Sequence, residues 1–125
     1  MDNTNQQRVL VVEPDPSIRA LIVALLRRDG VVTDCVSTHD DALRSASSRH
    51  YDAVVVEPRI PDGDALLSEL YAAAPDGRPN LVVVTTPDST SKLLRGRAGV
   101  RAVLMKPFAV DALTDALAAC HDDGS

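Results

Sequence analysis

Val9-Leu10-Val11-Val12-Glu13-Pro14-Asp15-Pro16-Ser17-Ile18 holds a strand, a turn and a helix start in a single short stretch. Four apolar residues in succession read as a buried strand. Asp15 offers a side-chain oxygen as helix cap, and Pro16 suits the first helical position because its missing N–H has no partner to find there. Ile18, Leu21, Ile22, Leu25 and Leu26 then recur at helical spacing, until Gly30 stops the helix.

The same alternation runs to the end of the chain. Val31 to Val36 reads as a second strand and Asp40 to Ser48 as a short helix with Ala42, Leu43 and Ala46 inward. Ala53 to Val56 is a third strand, followed by a helix from Ala65 to Ala74 with Leu66, Leu67 and Leu70 on one face. Leu81 to Val84 is the fourth strand, ended by Thr85. Ser89 to Ala98 is a weaker helix, since Gly96 in its interior costs ~1 kcal/mol relative to alanine. Val100 to Met105 is the fifth strand, and Val110 to Cys120 the last helix, carrying Leu113 and Leu117.

Nearly all-apolar strands alternating with helices imply an α/β fold, a doubly wound parallel sheet covered on both faces. The alternation leaves the strand order open. The expected organisation is a disordered tail over 1–7, one domain over 8–121, and a tail or the start of a linker over 122–125.

At 125 residues one domain buries roughly two-thirds of its unfolded surface and needs no disulfide or structural metal. The net charge of −5 argues against direct nucleic-acid contact by this domain. Cys35 and Cys120 lack C-x-x-C spacing and read as buried thiols of a reducing compartment. Met1 to Gln7 lacks the basic start and apolar stretch of a signal peptide, and no apolar run approaches ~18 residues, so a cytoplasmic protein with no membrane partner is expected. His39, His50 and His121 show no metal-ligand spacing, which favours surface or capping roles.

In such a fold the carboxyl ends of the strands converge where open α/β sheets do their chemistry. Glu13 follows the first strand, Glu57 the third, Thr85 the fourth and Lys106 the fifth. Carboxylates suit a hard cation, and hydroxyl and ammonium groups suit phosphate oxygens.

Val9-Leu10-Val11-Val12-Glu13, Pro16-Ser17-Ile18-Arg19, Pro61-Asp62-Gly63-Asp64, Thr85, Ala98-Gly99 and Met105-Lys106-Pro107-Phe108 follow one another along the chain. In this order and spacing they make the chain, from Val9 to Cys120, resemble a bacterial two-component response-regulator receiver domain. The resemblance implies a flavodoxin-like (βα)5 sheet with strand order 2-1-3-4-5.

Several positions depart from what the resemblance implies. The third strand should end in the aspartate that accepts a phosphoryl group, and Glu57 stands there. The first strand should end in two adjacent acids that hold Mg²⁺, and Glu13 is followed by Pro14. Asp15 lies one residue late and is better used as a helix cap. A glutamate also carries its carboxylate up to ~1.5 Å further from the backbone, and a misplacement of ~1 Å can cost ~100-fold in rate. The fifth-strand aromatic that moves with the active-site threonine is matched by Val103, so that switch is absent. Ala116 takes an arginine position used by the winged-helix class for dimers, which disfavours that dimer and leaves other homodimers open.

Three readings of the pocket remain at this level. Glu57 facing Lys106 could imitate the phosphorylated state, although a carboxylate has fewer charges and oxygens than a phosphoryl group. The pair could instead fill a degenerate pocket and leave a fixed scaffold. Weak residual Mg²⁺ binding at Glu13, Glu57 and a carbonyl near Arg59 is the third; otherwise no cofactor is expected. Arg59 could also swing in as a substitute cation. Lys92, Arg95, Arg97 and Arg101 form a basic cluster on the face that receivers commonly use for signalling, which suits either an acidic protein partner or a plain solvated charged surface.

The expected function is therefore a pseudo-receiver, not an enzyme. It would act in signal transduction or transcriptional regulation through protein contacts with an output domain, a sensor or another regulator. The chain would be a single-domain regulator or a receiver cut from a longer protein. The rival is an allosteric anion or small-molecule sensor that uses Thr85 and Lys106. A flavodoxin-like enzyme is disfavoured, because Pro14-Asp15-Pro16 replaces the phosphate-binding loop it would need.

Overall fold

The structure is a computed structural model and describes residues 7–58, 63–73, 80–85, 94, 96 and 99–124. Five strands, β1 (Arg8–Val12), β2 (Val32–Val36), β3 (Ala53–Val56), β4 (Asn80–Thr85) and β5 (Val100–Met105), pair in parallel in the order β2-β1-β3-β4-β5. Four helices are described: α1 (Pro16–Arg28), α2 (His39–Ser48), α3 (Gly63–Ala73) and α4 (Val110–Gly124). Of the 89–98 segment, expected to be helical, only Leu94 and Gly96 lie among the described residues; Leu94 is helical and buried.

The two-residue period of the strands divides the core into two layers. Leu10, Val12, Val54, Val56, Leu81, Val83 and Val103 pack on one face with Ala42 and Ala46 of α2 and Leu66, Leu67 and Leu70 of α3. Val9, Val11, Ala53, Val55, Val82 and Val84 pack on the other with Ile22 and Leu26 of α1 and Leu113 and Leu117 of α4. Strands buried on both faces need apolar residues at every position, which is why they read as unbroken runs. Each fully buried valine or leucine contributes roughly 1.5–3 kcal/mol relative to exposure.

The first helix begins and ends as its sequence demands. Asp15 Oδ1 accepts the backbone N–H groups of Ser17 at 2.8 Å and Ile18 at 3.2 Å. Gly30 has φ of +80°. From there its N–H reaches Arg27 O at 3.0 Å while the Val31 N–H reaches Leu26 O at 3.0 Å, which satisfies the last carbonyls of the helix. The second helix starts one residue before its expected boundary, because Thr38 caps it by accepting the Asp41 N–H at 3.2 Å.

Several expectations are corrected. Leu21 keeps the helical spacing of the apolar residues of α1 but is 53% exposed. The apolar stripe of α1 is narrower than the spacing implies, and Ile22, Val23, Leu25 and Leu26 fill it. Cys35 is exposed, because β2 is the edge strand with no neighbour beyond it; only Cys120 is buried. Gln7 is tied down, with its O accepting the Val32 N–H at 2.9 Å and its Nε2 donating to Leu117 O at 2.8 Å. Asp122, Asp123 and Gly124 extend α4 where a tail was expected, since no proline or helix-stopping motif follows Cys120.

At the edge of the sheet, the Tyr51 hydroxyl donates to Asp34 Oδ2 at 2.7 Å, and Arg8 and Arg49 approach the same carboxylate at 3.5 and 3.4 Å. Burial, then the hydrogen bond to Asp34 and its charge, push the Tyr51 phenol far above its ordinary range. Gly99, before β5, has φ of +84°, and a Cβ there would run into the ring of Tyr71 on α3.

Candidate functional site

Strand order decides which residues meet. With β1 at the centre between β2 and β3, Glu13 leaves β1 beside Glu57 leaving β3; the Glu57 N–H donates to Val12 O at 3.0 Å and the Glu13 N–H to Val36 O at 3.2 Å. The Lys106 N–H donates to Thr85 O at 2.7 Å, which joins the end of β5 to the end of β4. Glu13, Glu57 and Thr85 are buried, at 2%, 5% and 2% exposure, so these polar groups sit inside the protein at the carboxyl ends of β1, β3 and β4 rather than on its surface.

The Lys106 ammonium stands between the two carboxylates. Its Nζ lies 2.8 Å from Glu13 Oε1 and 2.8 Å from Glu57 Oε1. Burial pulls the lysine pKa down, but the hydrogen bonds to Glu13 and Glu57 and their charges outweigh it, and the net is a pKa above the ordinary 10.5. The cluster is an ion triad with two negative charges around one positive. The sequence paired Lys106 with Glu57 alone; the second bond, to Glu13, required the fold.

The loop after β1 is held by its own contacts. Glu13 Oε2 accepts the Asp15 N–H at 3.1 Å, and the Asp15 side chain is committed to capping α1. Pro14 is exposed and has no side-chain ligand to offer. Arg19, one turn into α1, reaches back and donates Nη1 to Glu13 O at 2.8 Å and Pro14 O at 3.4 Å. Arg19 was not singled out from the sequence as part of the site. Its position four residues after the Asp15 cap, on the loop-facing side of the first turn, was the available signal.

The remaining candidates divide. Val103 is 6% exposed, lies opposite Val83 in the sheet and belongs to the α2/α3 core layer. Arg101 is exposed on β5. Arg59, Lys92, Arg95 and Arg97 lie outside the described residues. His39 and His50 lie 3.4 Å from Glu69 and Asp52, apart from the triad.

A family model described as the response regulator receiver domain matches residues 9–118. The chain belongs to the response-regulator receiver domain family. The receiver is 33% identical over 116 residues to the sensory/regulatory protein RpfC of Xanthomonas campestris, a match that covers 89% of this chain and 16% of that protein. The chain spans less than half the length of the curated relatives it matches. Among solved structures, a CheY-like receiver from Methylobacillus flagellatus superposes with a TM-score of 0.78 at 28% identity, covering 92% of this chain and 98% of that one. The receiver domain of a sensor histidine kinase from Pseudomonas aeruginosa, described with a magnesium ion in its active-site cleft, gives 0.76 at 29% identity, covering 94% and 98%.

The sheet order 2-1-3-4-5 is that of the CheY-like receiver fold. Receiver domains are signalling modules of two-component systems, working with kinases and output domains. Among the described residues of this receiver, no helix is long and apolar enough to cross a membrane.

The residues at the strand ends do not match what a resident Mg²⁺ would need. Such an ion takes carboxylate oxygens directed at an open position, completed by water. Here one oxygen each of Glu13 and Glu57 is bonded to Lys106, the other Glu13 oxygen takes a backbone N–H, and the Asp15 carboxylate caps a helix. No group of three or more potential metal ligands occurs among the described residues.

Proposed function

We propose that this receiver is atypical, a signalling module that works through protein contacts without ordinary aspartyl phosphorylation. Glu57 stands at the phosphoacceptor position and Pro14 at one metal-ligand position. The observation that carries the reading is the Lys106 ammonium held at 2.8 Å from both Glu57 and Glu13. An acceptor carboxylate that is already the partner of a buried ammonium is a poor nucleophile, and no Mg²⁺ is needed to neutralise it. Val103 supports a fixed conformation, because a small side chain packed in the core has no inward and outward positions to exchange. The domain would act in signal transduction or transcriptional control as a constant docking surface for an output domain, a sensor or another regulator. It is not an enzyme on this reading.

The anion-sensor alternative is weaker. An anion entering the pocket meets two carboxylates, and Lys106 is already shared between them. The test is incubation with acetyl phosphate and Mg²⁺, followed by intact-mass measurement, together with a beryllium fluoride titration read by amide NMR. No phosphoryl adduct and no saturating shift at Glu57, Thr85 and Lys106 are expected. A stoichiometric adduct on Glu57 would refute the proposal.

A further inference from the structure

We infer that the open edge of β2 is a docking site for an extended, acidic strand of a partner protein, added to the sheet beside β2. The inference names a surface for the protein contacts proposed above, and rests on that reading only in taking the domain to work by such contacts.

The register of the sheet decides which backbone groups are open. The Val32 N–H donates to Gln7 O at 2.9 Å and Val36 O accepts the Glu13 N–H at 3.2 Å, so the even-numbered residues of β2 turn their main chain towards β1. In a parallel ladder the alternate residues turn theirs the opposite way. Thr33 and Cys35 therefore direct their N–H and C=O groups outward, and among the described residues no strand lies beyond them. A row of outward backbone groups is a template on which another chain can pair as an added strand.

The walls of this edge come from two helices. A cavity of about 380 Å³ is lined by Thr33, Asp34 and Cys35 of the strand, by Arg27 at the end of α1, and by Ser45 and Arg49 at the end of α2. Because α1 and α2 cover opposite faces of the sheet, the two arginines stand on either side of the strand. A strand laid beside β2 points successive side chains to opposite faces, so two neighbouring residues of the guest meet one arginine each.

Charge then names the guest. Arg8 and Arg49 share one oxygen of Asp34 at 3.5 and 3.4 Å, and Arg27 Nη2 bonds Thr33 O at 3.4 Å with no carboxylate beside it among the described residues. Three cations around a single anion make a positive edge on a chain whose net charge is −5. Adjacent acidic side chains complement it. A second copy of the chain is a poor guest, because it would bring the same arginines face to face across the new pair of strands.

The probe is the capped peptide acetyl-Thr-Val-Glu-Glu-Val-Thr-amide, titrated into the reduced protein without Mg²⁺ or a phosphoryl donor. Amide NMR is expected to show saturating shifts over 32–36 at millimolar peptide. Hydrogen exchange should slow at Thr33 and Cys35 and stay nearly unchanged at Asp34, whose N–H already faces β1; strand addition is what gives that alternation. Glutamine in place of both peptide glutamates should weaken binding, and Arg27→Gln and Arg49→Gln should each cost roughly 5-fold, the scale of one exposed ion pair. Cys35→Pro removes an outward N–H and leaves the ladder to β1 whole, since proline is tolerated on the open side of an edge strand, and it should weaken binding about 10-fold.

No shift over 32–36, equal slowing at Thr33 and Asp34, a glutamine peptide that binds as well, or a folded Cys35→Pro that binds like wild type overturns the inference. Should Cys35→Pro not fold, the two arginine variants decide, and unchanged binding by both overturns it. Self-association through β2, seen as a mass that rises with protein concentration, overturns it as well. Failure at β2 beside a wild type that takes no phosphoryl group sinks this inference and spares the proposed function; a phosphoryl adduct on Glu57 sinks the proposed function whatever the peptide does.

Discussion

Lys106→Met should be among the most destabilising single changes in this protein, and the geometry fixes why. The wild-type ammonium neutralises two carboxylates whose side chains are 3% and 6% exposed. Methionine fills a similar volume and takes the ammonium away from both carboxylates. Breaking a buried ion pair from one side costs about 3–5 kcal/mol. For a domain of this size each kcal/mol moves the thermal midpoint by roughly 3–5 °C, so a fall of about 10–25 °C is expected.

Glu57→Gln is the counterpart. It leaves Lys106 paired with Glu13 and balances the triad at one charge of each sign, so its cost should stay within about 1 kcal/mol. Urea unfolding of wild type, the two single variants and Lys106→Met/Glu57→Gln completes a double-mutant cycle. The double variant should recover part of what Lys106→Met loses, because one uncompensated charge has been removed. A loss under ~1 kcal/mol for Lys106→Met, the scale of an exposed ion pair, would refute the reasoning. So would a Glu57→Gln that costs as much as Lys106→Met.

Gly99→Ala should cost about 2–4 kcal/mol, from an unfavourable positive φ together with the collision against Tyr71, whereas Gly30→Ala, also at positive φ but in open space, should cost only about 1–2 kcal/mol; equal losses in chemical unfolding would show that the Tyr71 contact is unimportant. The folded-state pKa values of Lys106 and Tyr51 are both raised above ordinary values of 10.5 and 10.0. For raised groups the stabilisation is complete below the unfolded pKa and is lost as pH climbs through the folded one, so stability should fall above about pH 10. Tyr51→Phe should lose roughly 1–2 kcal/mol at neutral pH with its hydrogen bond to Asp34, and should flatten that alkaline decline; an unchanged slope in pH-dependent unfolding would count against Tyr51 as a contributor.

Much of the fold was written locally. Val9–Val12 and Ala53–Val56 are apolar at every position because both faces of a central parallel strand are covered, so the run announces both the strand and its depth. Asp15-Pro16 and Gly30 mark the ends of α1 through backbone chemistry confined to a few residues, and both marks hold in the structure. That Glu13, Glu57, Thr85 and Lys106 leave the sheet at its carboxyl end could likewise be anticipated, since a strand that ends tells where its next side chain emerges.

Other features depended on what lay across the fold. Cys35 and Cys120 look alike in sequence, yet one lies on the uncovered edge strand and the other under the sheet. Leu21 follows the helical spacing but falls outside the strip that α1 presses on the strands. Gly99 is constrained by a tyrosine ring from α3, and Arg19 becomes part of the site only because its guanidinium turns back over the loop before α1.

The sequence by itself determined the strands, the two ends of α1 and the chemical types gathered at the strand ends, because periodicity, caps and turns act over a few neighbouring residues. Only the tertiary structure decided that a single ammonium joins Glu13 and Glu57, residues 93 and 49 positions away from it in the chain. Pairings at that separation are set by strand order and register, and it is their geometry that makes Lys106 a partner of both carboxylates instead of one.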